Sequence, residues 1–311
     1  MLQHIIEVIA PVFLIIGSGY VVVRQGWFAD GLVDGLMRFS ILIAVPCLLF
    51  RATSQLDLQA AYDGSMMLAF YVAAAASFGI ASLLGHVLFK RPPGESVAIG
   101  FGALFSNSVL MGLAISERAW GADNLAPAYA IISIHAPFCY LLGITAMEVL
   151  RSDGRGSVQT LRVVLRAMFR NSLMIGIALG FVVNLSGLRL PAVIDASVDL
   201  LSAAALPVAL FAIGGVLTRY RLSDSMGEVG MVTSFSLVFH PAATYLLCLA
   251  LGVPLDVTRV AVLMASMAPG INAYLFAEMY QRGQSVAASA VVFGTGVSAL
   301  SISFWLWFLQ R

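Results

Sequence analysis

The sequence predicts an all-α integral membrane protein with ten transmembrane helices arranged as two inverted five-helix repeats. Of its 311 residues, 60% are hydrophobic and 11% are charged, whereas soluble domains carry about 25% charged residues. Apolar stretches recur along the whole chain, and each is long enough as a helix to cross a hydrocarbon core of about 30 Å. A shift of 161 residues also aligns part of the first half with the second. The lipid bilayer is therefore the expected solvent, and internal symmetry is the expected architecture.

The ten predicted spans are the apolar runs between charged or turn-rich breaks. Residues 1–150 hold the first five-helix repeat, and residues 171–311 hold the second. Helices 1 to 10 are predicted at 5–23, 32–50, 66–89, 96–116, 125–149, 171–187, 195–218, 228–251, 257–280 and 285–309. Because five is an odd number, the second repeat enters the membrane from the opposite side. Inverted repeats of this kind are common among secondary carriers.

The repeat itself is clearest where helices 1 and 2 align with helices 6 and 7. With this shift, Gly19 aligns with Gly180, Asp34 with Asp195 and Phe50 with Phe211. The segment AVPCLLF at 44–50 is identical to ALPVALF at 205–211 at four of seven positions. An internal duplication explains this match.

Basic residues predict the orientation. The linker at 151–170, RSDGRGSVQTLRVVLRAMFR, contains five arginines, and its later part has the pattern of an amphipathic basic helix that suits an anionic cytoplasmic leaflet. Loops on the same side carry most of the other lysines and arginines. The positive-inside rule therefore predicts a cytoplasmic linker and both termini outside. The expected location is a bacterial inner membrane. The net charge of +1 gives no indication of a nucleic-acid partner.

Helices 4 and 9 contain polar, helix-weakening residues near their centres, in GALFSNSVLMG and SMAPGINAYLF. A shift of 165 superposes Asn107 on Asn272. Pro269 cannot donate to the carbonyl of Ala265, and Gly270 weakens the next turn. Freed backbone groups in lipid must be bonded or face a cavity. An ordinary kink with interhelical asparagine bonds is the alternative, but paired interruptions in two repeats favour a substrate site.

Three motifs resemble those of the auxin efflux carrier family, which includes bacterial malonate carriers and the plant PIN proteins: AVPCLLF in helix 2, SNSVLMG in helix 4 and APGINAYLFAEMY in helix 9. The resemblance implies a scaffold domain of helices 1, 2, 6 and 7, which can form a homodimer, and a transport domain of helices 3–5 and 8–10. It also implies that helices 4 and 9 cross at their breaks, with Asn107 and Asn272 as the crossing asparagines. Helix 4 lacks a proline there, so the sharpness of its break stays open.

No Asp, Glu, Lys or Arg falls near the middle of any predicted span. A substrate anion therefore meets no central cation, and the N-termini of the half-helices after each break must supply N–H groups and partial positive charge. We expect a small organic anion, such as a malonate-like or auxin-like carboxylate. The predicted substrate-binding residues are Ser106, Asn107, Ser108, Pro269, Gly270, Asn272 and Ala273, with Pro46 and Pro207.

Five residues are candidates for coupling transport to an ion or for supporting the site. His135 and His240 lie near mid-depth, and each either binds a proton or donates to a carbonyl freed by a nearby proline, such as that of Leu237. Glu278 is a solvated helix end, a gate or an ion ligand. No cofactor is expected beyond possible coupling to Na⁺ or H⁺.

Asp34 and Arg38 on helix 2 match an acidic and a basic residue that support transport in the PIN proteins. They equally fit an ordinary i, i+4 ion pair at a helix end. The three cysteines Cys47, Cys139 and Cys248 lie in apolar runs without metal-like spacing, which predicts small buried side chains.

The predicted function is secondary active transport by alternating access between the scaffold and transport domains. A membrane sensor or an anion-conducting channel that uses the same cavity is the alternative. An intramembrane enzyme is disfavoured, because the sequence has no HExxH, no GxSxG and no paired mid-membrane aspartates.

Overall fold

A computed structural model describes residues 2–150, 171–220 and 225–310 of the chain. Within these ranges the regular structure is helical throughout and contains no β-strand, so the predicted all-α fold is confirmed. Seven described helical stretches have the length and apolar composition needed to cross a membrane. They are Gln3–Arg24, Gly31–Ser54, Gly64–Val87, Ala126–Leu150, Ala192–Leu217, Met226–Ala250 and Gln284–Leu309.

The helices follow the predicted order, and the labels of the predicted spans are kept for them. Helix 1 is Leu2–Arg24, and helix 2 runs as Asp30–Phe39, a π-helical turn Ser40–Ala44 and Val45–Ser54. A short helix, Leu58–Ala61, precedes helix 3 at Gly64–Val87. Helix 4 is divided into 4a, Pro93–Leu104, and 4b, which comprises a π-helical turn Ser108–Gly112 and Leu113–Trp120. A 3₁₀ turn at Ala122–Asn124 leads to helix 5 at Ala126–Leu150.

In the second half, helix 6 is Ser172–Ser186 and helix 7 is Ala192–Leu217. Helix 8 runs as Met226–Ser234, a π-helical turn Phe235–Phe239 and His240–Ala250. Helix 9 is divided into 9a, Leu255–Ala265, and 9b, Ile271–Tyr280. Helix 10 is Gln284–Leu309.

Local sequence signals set several of these helix ends. The Asp63 carboxylate accepts from the backbone N–H of Met66 at 2.9 Å and caps helix 3. The Asn171 side chain accepts from Leu173 N–H at 3.0 Å and caps helix 6 in the same way. Helix 6 ends at Gly187, whose φ of 64° is the left-handed conformation that glycine adopts without a Cβ clash.

The helices pack into two compact units. The larger unit contains the first residues of helix 1, up to Ile9, with helices 3–5 and 8–10. The smaller unit contains the rest of helix 1, from Ala10, with helices 2, 6 and 7.

In the smaller unit, glycines let helix backbones touch. A Cβ placed on Gly19 of helix 1 would lie 2.0 Å from the carbonyl oxygen of Phe211 on helix 7. A Cβ on Gly180 of helix 6 would lie 2.7 Å from the carbonyl oxygen of Phe50 on helix 2. Small residues at such interfaces are typical of packed membrane helices, where close backbone approach replaces the hydrophobic effect.

Ion pairs link both ends of helices 2 and 7 in this unit. Arg51, near the end of helix 2, binds Asp195 and Asp199 in the first turns of helix 7. Arg219, just after helix 7, binds Asp34 near the start of helix 2 at 2.6 Å. The two helices are therefore antiparallel and are tied at each end.

The larger unit has its own polar contacts at helix ends. Arg91, in the turn after helix 3, donates through Nε and Nη2 to Glu228 Oε1 at 2.9 and 2.6 Å. Because Glu228 stabilises the charged guanidinium, the pKa of Arg91 is raised. Arg118 of helix 4b donates to the carbonyl of Glu7 at 2.6 Å. That carbonyl has no helical partner because Pro11, four residues later, lacks an N–H.

Candidate functional site

The breaks of helices 4 and 9 lie side by side in the larger unit. Ser106 and Pro269 form an antiparallel backbone bridge. On one side of it, Asn107 N–H donates to the carbonyl of Ala268 at 2.8 Å. On the other, Gly270 N–H donates to the carbonyl of Phe105 at 2.8 Å. We call this arrangement the crossing; it brings together Ser106, Asn107, Pro269 and Gly270 as the sequence predicts.

Helix 4 breaks completely although it contains no proline at this point. Phe105 has φ −92° and ψ 90°, and Asn107 has φ −77° and ψ 52°, so neither is helical. The extended backbone of helix 4 exchanges hydrogen bonds with the break of helix 9, which makes up for the helical bonds that it gives up. Pro269 thus causes the break in helix 9. The broken segment of helix 9 in turn provides the backbone partners that stabilise the break in helix 4.

Each half-helix that follows a break presents backbone N–H groups at the crossing. In the part of the chain that the structure describes, no protein acceptor takes the N–H of Ser108 or Val109 in helix 4b, or of Ile271 or Asn272 in helix 9b. The first amides of a helix have no intrahelical partner and carry the positive end of its dipole. Two such ends at one place form a suitable environment for an anion.

Two asparagine side chains border the crossing, and they differ in their contacts. Asn107 is half-buried, and its carboxamide makes no hydrogen bond to another described residue. The Oδ1 atom of half-buried Asn272 accepts a hydrogen bond from the Tyr140 hydroxyl at 3.2 Å. This bond fixes the Asn272 amide with its NH₂ group, which is a donor, still available. The groups left to meet a ligand at the crossing therefore include the four backbone amides, the Asn272 NH₂ group and the Asn107 carboxamide.

The other predicted residues at the crossing are buried. Ser106 and Ser108 share a hydrogen bond of 2.6 Å between their hydroxyls. Ala273 is enclosed, and its N–H donates to the carbonyl of Gly270 at 2.9 Å. These side chains form the supporting layer of the crossing, and the two asparagines form its more accessible part.

Tyr140 of helix 5 is a site residue that sequence reasoning missed. Its ring packs against the rings of Phe101 and Phe105, with centroids 5.7 and 5.8 Å apart. Phe101 in turn stacks on Phe276 of helix 9b at 3.9 Å. Because Tyr140 stands in an apolar run of helix 5, no motif or spacing marks it, and only the packing of helix 5 beside helix 9b reveals its contact with Asn272.

Pro46 and Pro207 belong to the smaller unit. Pro46 follows the π-helical turn of helix 2, and its carbonyl oxygen is 2.5 Å from where a Cβ on Gly176 would lie. Pro207 lies inside helix 7, with an exposed side chain. The structure therefore places Pro46 at a close helix contact of that unit and Pro207 on its exposed surface.

The two mid-depth histidines are buried in the larger unit, and the expected hydrogen bond from His240 to the Leu237 carbonyl is absent. The carbonyl of Leu237, which Pro241 frees, accepts from the Ser301 hydroxyl at 2.7 Å and the Trp305 indole N–H at 3.0 Å. Helix 10 therefore supplies the donors that we expected from His240. The imidazole of His135 lies against the ring of Phe105, with centroids 4.9 Å apart.

The charged candidates lie at helix ends. Asp34 binds Arg219, which follows helix 7, and Arg38 is exposed and forms no ion pair with Asp34, so the predicted i, i+4 pair is wrong. Asp34 is therefore paired with an arginine from outside its own helix. Glu278 is exposed two residues before the end of helix 9b. Among the described residues, no group of three or more His, Cys, Asp or Glu side chains could hold a metal ion.

Long apolar helices and a crossing of two broken helices that presents unpartnered donors are features of a membrane transporter. Comparison with known proteins identifies the group. The profile of the family described as membrane transport protein matches residues 4–306, and the chain belongs to this family, that of the auxin efflux carriers. The resemblance found in the sequence is confirmed, and the protein is a transporter, not an enzyme.

Relatives in bacteria, archaea and plants share this family. The chain is 24% identical to a protein of Rhizobium meliloti (strain 1021) named "Putative malonate transporter", over 99% of this chain and 97% of that one. It is 24% identical to an uncharacterized transporter of Methanothermobacter thermautotrophicus, over 96% of both chains. It is 32% identical to auxin efflux carrier component 5 of Arabidopsis thaliana, over 41% of this chain and 37% of that one.

Proposed function

We propose that this protein is a secondary active transporter of a small organic anion, built as ten transmembrane helices in two inverted repeats. The observation that carries the proposal is the crossing, where the N-termini of helices 4b and 9b present unpartnered amides at one place. Each helix N-terminus is equivalent to roughly half a positive charge. No lysine or arginine falls near the middle of a predicted span, so these amides are donors that a carboxylate can meet there.

Packing in the smaller unit supports the inverted repeat. Gly19 contacts the backbone of Phe211, and Gly180 contacts the backbone of Phe50. A shift of 161 residues turns the first pair into the second with the order of the partners exchanged. Helices 1 and 7 and helices 6 and 2 therefore use equivalent close contacts, as two copies related by a pseudo-two-fold axis would.

The division into two compact units supports the proposed mechanism. The smaller unit contains the helices that we assign to the scaffold domain, and the larger unit contains those that we assign to the transport domain. In the proposal, the transport domain moves as a body and exposes the crossing to each side of the membrane in turn. The proposal also includes a homodimer formed through the scaffold domain, termini on the outside and a location in a bacterial inner membrane. The cytoplasmic linker at 151–170 lies outside the described residues.

The relatives narrow the substrate class. One full-length relative is named for malonate transport, and partial plant relatives are named for auxin efflux. Malonate and indole-3-acetate are small carboxylates, and either matches the donors at the crossing. One negative charge that crosses 100 mV changes the free energy by about 2.3 kcal/mol. The membrane potential alone therefore favours export, and accumulation requires a cotransported cation.

Counterflow in proteoliposomes tests the proposal. Vesicles loaded with radiolabelled malonate or indole-3-acetate should lose label faster when unlabelled acid is added outside, and the rate should saturate. An anion channel gives a conductive current without this acceleration, and a sensor gives neither. The absence of acceleration with a panel of small carboxylates would refute the carrier.

Asparagine substitutions test the location of the site. Asn107→Ala and Asn272→Ala each remove a hydrogen bond to a charged group, which contributes about 1.5–3 kcal/mol and corresponds to roughly a 10- to 100-fold weaker affinity. Asn124→Ala is a matched control, since Asn124 is exposed in the turn before helix 5. Equal affinity in all three variants and the unmodified protein would show that the asparagines are structural.

A further inference from the structure

Two buried imidazoles pack against one phenyl ring in the larger unit. The ring of Phe70, on helix 3, lies 5.0 Å from the ring of His240 on helix 8 and 5.8 Å from the ring of His135 on helix 5. A second aromatic neighbour of His135 is Phe105, at 4.9 Å. Phe105 is also the residue whose carbonyl accepts from Gly270 at the crossing. The two imidazoles are therefore connected to the crossing by continuous ring packing.

The polar atoms of His240 are not explained by a structural role. Its side chain is 0% exposed, and neither ring nitrogen makes a hydrogen bond of normal geometry, although the backbone of Phe70 lies near. A neutral imidazole has one donor and one acceptor, and burial of both without well-formed partners destabilises the fold. The nearby carbonyl of Leu237 is already occupied by Ser301 and Trp305. A phenylalanine at position 240 would keep an aromatic ring there without polar nitrogens and would avoid this cost.

His135 has only weak polar contacts. It is 2% exposed, the backbone of Ser106 lies near its ring, and its ring nitrogens lie 3.8 Å from the sulfur of Cys139, one turn along helix 5. Tyr71 of helix 3 is the other titratable side chain that faces it, with ring centroids 6.4 Å apart. Tyr140 of helix 5 is a further ionisable side chain. The charged residues and the remaining histidine on the helices packed around the two imidazoles lie near helix ends: His86, Glu95, Glu117, Arg118, Glu148, Glu228, Asp256, Arg259 and Glu278.

We propose that His135 and His240 form a proton-binding site that couples H⁺ to anion transport, an inference that rests on the proposed function. A proton binds to a ring nitrogen lone pair when that side of the transport domain is open to water, and it leaves to water on the other side. The positive charge lies next to the crossing and attracts the substrate carboxylate there. The proton and a monovalent anion then cross together without net charge, which removes the opposition of the membrane potential to uptake.

A pH gradient across proteoliposomes tests this inference. With acid outside, uptake of radiolabelled malonate and of indole-3-acetate is measured, and pyranine inside reports proton entry. One proton per anion raises the accumulation ratio about tenfold for a gradient of one pH unit. An uncoupler should abolish the effect. If uptake does not respond to the gradient, the inference is wrong even when counterflow shows that the carrier works.

Substitutions assign the effect to the two residues. His240→Phe and His135→Phe keep the ring packing, and His240→Gln and His135→Gln keep polarity at smaller volume. We expect the folded variants to lose the response to the pH gradient and to show weaker counterflow, since the positive charge that attracts the carboxylate is lost. His4→Gln, at an exposed histidine of helix 1, is the matched control and should keep both.

Thermal unfolding separates coupling from structure. If His240 stabilised the fold, its replacement would lower the unfolding temperature. We expect instead that His240→Phe unfolds at the same temperature as the unmodified protein or higher, since it removes nitrogens that lack well-formed hydrogen bonds. A clear fall in its unfolding temperature, or a variant that keeps the response to the pH gradient, would overturn the proposal. Failure of counterflow in the unmodified protein would instead refute the proposed function, and this inference with it.

Discussion

Replacement of Gly19 by alanine should disrupt the packing of helices 1 and 7. The new methyl group would lie 2.0 Å from the carbonyl oxygen of Phe211, although real Cβ atoms essentially never approach closer than 3.0 Å. The carbonyl must therefore retreat by about 1 Å or more, and it belongs to a helix backbone that cannot move alone. Overpacking of this kind costs about 1–3 kcal/mol.

The control for this substitution lies two residues away. Gly17 is on the same helix, and a Cβ there meets no atom within 4 Å. Gly17→Ala should therefore gain up to about 1 kcal/mol from helix propensity. Gly19→Ala gains the same amount, so the difference between the two variants isolates the contact with helix 7.

The assay is thermal unfolding in detergent, followed by fluorescence-detected gel filtration after heating. A cost of about 2 kcal/mol corresponds to a decrease of roughly 4–8 °C in a chain of this size. Gly19→Ala should fall below Gly17→Ala by this amount and should also show reduced counterflow. Equal unfolding temperatures for the two variants would refute the reasoning and the close helix contact on which it depends.

Two further predictions concern arginines of the larger unit. Arg91→Lys should lower the unfolding temperature, because lysine cannot donate through two nitrogens to the buried Glu228 carboxylate; the lost bonds correspond to about 1–3 kcal/mol, and an unchanged temperature would contradict the buried pair. Arg118→Gln should destabilise by about 1–2 kcal/mol, since the carbonyl of Glu7 loses its donor; Arg189→Gln, on an exposed turn, should have no measurable effect in the same unfolding assay.

The sequence was sufficient for features that depend on local chemistry. Apolar runs set the positions of the helices, and Pro269 and Gly270 set the break of helix 9. The repeat comparison pairs Asn107 with Asn272, and both asparagines lie at the crossing. The first two inferences are the ones that the structure bears out. These inferences succeed because hydrophobic length and proline geometry are properties of short segments.

Features that depend on distant residues could not be read in this way. Helix 4 breaks without a proline because the break of helix 9 offers backbone partners, and nothing within helix 4 shows that. Asp34 binds Arg219 across 185 positions in the chain, although Arg38 is the charged residue that spacing suggests. Tyr140 reaches Asn272 only because helix 5 packs beside helix 9b. Each contact is decided by tertiary packing, which overrides local pattern.

The hydrogen bonds that join helices 4 and 9 have a consequence for protein engineering. They run between backbone atoms of Phe105, Asn107, Ala268 and Gly270, so any residue other than proline at positions 107 and 270 retains the donors. Side chains around the crossing can then be varied in libraries while the backbone hydrogen bonds between the two helices are kept. Substrate preference should be open to directed evolution at this place, with the architecture maintained by the main chain.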